Sequence, residues 1–202
     1  INFYFILENT ICHFYWRAKM HKFFIGPMSK EIVDVLLEQD EEIYAFIPSR
    51  RQVEYSGGYV NNWTTESFAK YVKSKKPNFL ICRDHCGFFQ GSTPDNGYRS
   101  LESDAKHFDM IHIDPWKYTK NIQTGANLTI NYIEYALSIN QNLTFEVATE
   151  EAIMPFDENM LLEFVENLYN NLGKNFLKIT HLVIQSGTRL LGNNQIGVYD
   201  QE

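Results

Sequence analysis

An aspartate and a histidine stand side by side where an apolar run stops: Asp84-His85, after Phe79-Leu80-Ile81-Cys82. A carboxylate can move a proton, and an imidazole can move one or bind a divalent metal. Two further apolar runs end in acids, Met110–Ile113 in Asp114 and Leu143–Thr149 in Glu150. Other polar groups sit at similar run ends. The segment 49–63 carries Arg50, Arg51, Gln52 and the pair Gly57-Gly58. An arginine there could grip a phosphate through two parallel hydrogen bonds. The glycine pair could let backbone N–H groups approach an anion, or simply make a turn. Ser186-Gly187-Thr188, after His181–Gln185, is a third polar turn suited to an anion.

Each of these has a structural alternative. Asp84 and His85 could pair with Arg83, Arg50 or Arg51 and tie the strand ends together. Asp114 and Glu150 could cap the element that follows. His112, in the middle of its run, reads as a core histidine with a hydrogen bond.

The elements that must position these residues follow from periodicity. Phe23–Met28, Glu42–Pro48, Phe79–Cys82, Met110–Trp116, Leu143–Thr149 and His181–Gln185 read as strands. Ser29, Thr64 or Thr65, and Asp157 are N-cap residues ahead of helical spacing. Further helices are expected over 98–108 and 127–139. Strand and helix thus alternate about six times, which implies a parallel sheet with right-handed crossovers. Gly26-Pro27-Met28-Ser29 after the first strand is not a GxGxxG turn, which argues against a dinucleotide-binding sheet. Polar residues after nearly every strand point instead to a TIM (β/α)8 barrel, whose loops converge on one opening. A full barrel takes about 250 residues, so 202 residues are expected to hold about six strands of one.

Composition sets the outer bounds. The chain is 44% hydrophobic, enough for one domain with a sizeable core. A net charge of -7 argues against a general nucleic-acid binder, which needs a basic face, and leaves room for a small basic pocket for phosphate. No apolar run is long enough to span a membrane. Cys12, Cys82 and Cys86 are expected to be reduced thiols, as in a cytoplasmic protein. Cys82 and Cys86 lack the second pair that a structural zinc site requires, so they read as small buried hydrophobes. Ile1–Lys19 is rich in aromatics and is expected to lie outside the native fold, leaving residues 20–202 as the barrel domain.

Four stretches together carry a family resemblance. Ser49-Arg-Arg-Gln-Val-Glu-Tyr-Ser-Gly-Gly-Tyr59 resembles an N-Q-V-N-x-x-G-G-Y loop, and Asp84-His-Cys-Gly87 resembles D-H-x-G-P with Phe88 in place of proline. His112-Ile-Asp114 resembles K-I-H-L-D, and Val183-Ile-Gln-Ser-Gly187 resembles V-V-Q-P-G. Thr149-Glu150 also resembles a T-E-V segment. In this order the stretches resemble the non-catalytic, Z-type subunit of class II D-tagatose-1,6-bisphosphate aldolase.

The resemblance implies a TIM barrel in carbohydrate metabolism that supports the stability and activity of a catalytic class II aldolase subunit. It implies sugar-phosphate contacts at Arg50, Gln52, Gly57, Gly58, Asp114, Glu150, Gln185 and Gly187. If the chain is itself an enzyme, a metal-dependent aldolase or epimerase, it implies Asp84 as acid/base and His85 as a zinc ligand. Against that alternative, Cys82 replaces one ligating histidine of the catalytic relatives, and Ser186–Leu190 contains none. The opening is therefore expected to be too poor in imidazoles to hold a catalytic cation unaided.

Overall fold

The computed structural model describes residues 23–149 and 157–184, together with the backbone of four short strands outside them. Two of these, β1 (Tyr4–Leu7) and β2 (Thr10–His13), pair with each other as an antiparallel hairpin. The body consists of β3 (Phe23–Ile25), α1 (Lys30–Leu37), β4 (Tyr44–Phe46), α2 (Thr65–Lys75), β5 (Cys82–Cys86), α3 (Tyr98–His107), β6 (Met110–Ile113), α4 (Ile122–Ile139), β7 (Thr144–Ala148), α5 (Glu158–Leu172) and β8 (Ile179–Val183). A second antiparallel hairpin, β9 (Arg189–Leu191) with β10 (Asn194–Ile196), follows.

The helices start where their caps dictate. Ser29 accepts from the Ile32 N–H, Asn121 from Thr124 and Asp157 from Met160, while Thr64 and Ser67 form a reciprocal capping box. The Asn121 cap starts α4 five residues before the expected Asn127.

All six strands of the body run parallel. β3 pairs with β4, and β5, β6, β7 and β8 form a four-stranded sheet in chain order. Bridges Phe46↔Ile81 and Ser49↔Asp84 join the two sheets. The chain therefore forms an α/β fold with parallel sheets, as its periodicity predicts. Strands laid down in chain order with crossovers of one hand place every helix on the same side. The array curls accordingly: the Phe24 ring of β3 lies 6.1 Å from the His181 ring of β8. The helices pack over two apolar clusters. One is built on Leu101, Ile111, Ile133, Phe145 and Phe164, the other on Val33, Phe46, Phe68, Val72 and Phe79.

One strand departs from expectation. The apolar run Phe79–Cys82 is not the body of the strand; β5 begins at Cys82 and runs through Arg83, Asp84 and His85. A buried strand accepts an arginine only if its charge is met. Arg83 is fully buried, with Nε and Nη2 donating to the Asp104 carboxylate at 2.8 and 2.7 Å. Nη1 donates to the Pro48 and Val53 carbonyls, and Nη2 also to Thr65 Oγ1. One side chain thus ties β5 to the 48–53 loop, to α2 and to α3.

Candidate metal centre

The geometry of the site comes from a break in β5. Pairing with β6 slips between Arg83 and Cys86, and His85 sits at a φ of +48°. That is left-handed backbone, which a non-glycine residue seldom adopts. Regular alternation would send Asp84 and His85 to opposite faces. The irregularity turns His85 back, so that two consecutive residues address one cluster.

His85 Nε2 lies 3.5 Å from Asp84 Oδ1, and the rings of His85 and His112 are 4.7 Å apart. His112 Nδ1 lies 3.8 Å from Asp84 Oδ1. One ligand atom from each of Asp84, His85 and His112 falls within 4.8 Å of the others. Donors about 2.1 Å from a shared tetrahedral ion stand roughly 3.4 Å apart, so the widest pair needs to close by up to about 1.4 Å. Glu146, opposite His112 in the β6–β7 register, brings Oε2 to 3.6 Å from His112 Nδ1. His181 is the next residue of that row, opposite Glu146 on β8. Asp84, Asp114 and Glu146 bring three carboxylates to the cluster, which suits a divalent cation.

Asp114 supports His85 from the side away from Asp84. It is fully buried, and its Oδ2 accepts from His85 Nδ1 at 2.8 Å and from Gln90 Nε2 at 2.9 Å. Its Oδ1 accepts from the Trp116 N–H at 3.1 Å. Burial pushes its carboxyl up, but the His85 hydrogen bond and charge, with the Trp116 N–H, bring it below the usual carboxylate range. Trp116 in turn donates its indole N–H to the Ala148 carbonyl. Burial, and then the nearby Glu146 and Asp84 carboxylates, push the Cys82 thiol well up, so it stays a neutral thiol. Cys82 and Cys86 are both free and buried, as small hydrophobes would be.

Other sequence-based expectations land elsewhere. Asp84 and His85 do not pair with the arginines: Arg83 is taken by Asp104, and Arg50 by Glu54 and Asp95. Arg50 is 2% exposed, and its Nη1 also reaches the Gly87 carbonyl at 3.3 Å. It is a clamp between loops, not an open grip for phosphate. Gln52 points inward, accepting from the Ser49 N–H and donating to Met28 Sδ. Gly57 and Gly58 make a turn: their N–H groups donate to the Glu54 and Trp63 carbonyls and are not turned to an anion. Gly58 is required there because a Cβ would stand 2.1 Å from the Gln52 carbonyl oxygen. Glu150, Gln185 and Gly187 lie outside the described residues.

The sequence pattern singles out one imidazole where the structure brings two together. His112 is buried, as a core histidine would be, but it faces His85. Glu146 was missed as well. The available signal was position within the strand: His112 and Glu146 are each the third residue of their strands and stand opposite one another.

No protein-family model matches the sequence, and no curated protein matches it. Among solved structures it is similar to a probable tagatose 6 phosphate kinase from Sinorhizobium meliloti 1021, at 18% identity and a TM-score of 0.67. The match covers 88% of this chain and 52% of that one, so the chain spans about half the length of the solved structure it resembles. At this identity the likeness establishes a shared α/β fold.

Proposed function

We propose that residues 20–202 form six units of a (β/α)8 barrel whose opening binds a divalent metal at Asp84, His85 and His112 and acts on a phosphorylated keto sugar. Chain-order parallel pairing and the approach of Phe24 to His181 support the barrel reading. The observation that carries the function is the three-donor cluster, because two imidazoles and a carboxylate are a sufficient ligand set for zinc.

A bound divalent metal would polarise the sugar carbonyl and stabilise the charge that develops beside it. Glu146 lies outside the three-donor set and its side chain keeps 18% exposure, a position from which it can take up the proton lost next to the carbonyl. That is the first step shared by aldol cleavage and epimerisation, and carbohydrate metabolism is the setting that the fold neighbour and the sequence motifs support.

The test is metal analysis of the purified full chain with zinc and cobalt titrations, beside Asp84→Asn and His112→Gln. One metal per chain is expected, weakened at least tenfold in either variant. A wild-type chain with no affinity below millimolar would overturn the reading.

A second reading follows from the family resemblance: support of a catalytic class II aldolase subunit. Its observation is apolar exposure at the two outer strands of the body. Phe23 is 66% exposed in β3, and Leu177 and Ile184, flanking β8, are 73% and 53% exposed. Co-expression should then lengthen the half-life of a catalytic subunit; an unchanged half-life would refute it.

A further inference from the structure

We infer that Lys117 and Gln90 are positioning residues that act through Asp114 to fix the tautomer and orientation of His85, presenting its Nε2 lone pair to a divalent metal. The inference rests on the metal-centre reading above. It follows from counting donors and acceptors along one chain of contacts. Lys117 Nζ can only donate, and it lies 2.5 Å from the Gln90 side chain. The atom of Gln90 facing it must therefore be the carbonyl Oε1, which turns the amide Nε2 toward Asp114 at 2.9 Å. Asp114 can only accept when ionised, so both groups on its Oδ2 must donate. His85 Nδ1 is the second of those groups, at 2.8 Å, and must carry the proton. When the ring is neutral, the unprotonated nitrogen is then Nε2, which is the atom beside Asp84.

The contacts are built rather than incidental. Gln90 is 5% exposed and Asp114 fully buried, and both Asp114 oxygens are occupied, one by the Trp116 backbone and one by this chain. The link joins two segments: the loop after β6 supplies Asp114 and Lys117, and the loop after β5 supplies Gln90. Such outer partners usually raise metal affinity about 10–100-fold.

Two readouts on the full chain test this, with Lys117→Met and Gln90→Leu. Lys117 is only partly buried, so its replacement should leave the fold intact. In metal-free protein, nitrogen NMR should find His85 protonated on Nδ1 in the wild type and a mixture of tautomers in Gln90→Leu. Zinc affinity should fall roughly tenfold or more in Gln90→Leu and by less in Lys117→Met. If both variants keep the wild-type tautomer and bind zinc within twofold of wild type, the inference is overturned. If the wild type binds no metal but the tautomer still shifts in Gln90→Leu, the metal-centre reading fails and the positioning role stands.

Discussion

Replacing Asp104 with asparagine should destabilise the clamp that holds the site in place. Asp104 and Arg83 are both fully buried, and the carboxylate takes two guanidinium N–H groups at 2.7 and 2.8 Å. Asp104→Asn keeps the shape but leaves the Arg83 charge uncompensated in the interior. Breaking a buried pair from one side costs about 3–5 kcal/mol, a large part of the roughly 5–15 kcal/mol that holds a domain together. For a chain of this size that corresponds to a fall in Tm of roughly 6–20 °C. Urea unfolding of the full chain measures it directly, with Arg83→Met/Asp104→Leu as the control. An apolar pair removes both charges together and should recover part of the loss. A loss below about 1 kcal/mol in Asp104→Asn, or a double variant no more stable than the single one, would refute the assignment of this pair as the clamp on β5.

Other perturbations test separate parts of the structure. Gly58→Ala would drive a Cβ to 2.1 Å from the Gln52 carbonyl oxygen, so a loss of about 1–3 kcal/mol in urea unfolding is expected. Gly125→Ala places a Cβ 2.3 Å from the Trp116 ring; the gain of about 1 kcal/mol in helix propensity should be outweighed by overpacking of about 1–3 kcal/mol, with a changed near-UV tryptophan signal. Hydrogen bonds from Arg50, opposed by partial burial, hold the Asp95 carboxyl below its ordinary value. Its folded-state pKa is depressed, so its contribution is present above the unfolded value near pH 4 and is lost as pH falls through the lower folded value. Asp95→Asn should therefore flatten the acid limb of a stability–pH profile below about pH 4; an unchanged limb would count against the Arg50–Asp95 contact.

The elements themselves were legible because their signals are local. Ser29, Thr64 and Asp157 cap α1, α2 and α5 as their residue types require, and the strand runs other than Phe79–Cys82 pair as parallel strands. The exception failed for a reason no local rule contains. An arginine reads as the end of a buried strand unless its counter-ion, here Asp104 twenty-one residues on, is known to lie beneath it.

The sequence by itself thus determined an acidic, parallel α/β chain with Asp84, His85 and Asp114 at neighbouring strand ends. Only the tertiary structure decided what those residues do to one another. A slipped pairing in β5 and a left-handed His85 put two consecutive side chains on one side, and strand register set His112 and Glu146 beside them. Conversely, Arg50, polar and apparently open in the sequence, is buried against Glu54 and Asp95. Local pattern specifies which face of an element is apolar, but a contact between strands depends on register. Register is settled by packing across the whole sheet at once.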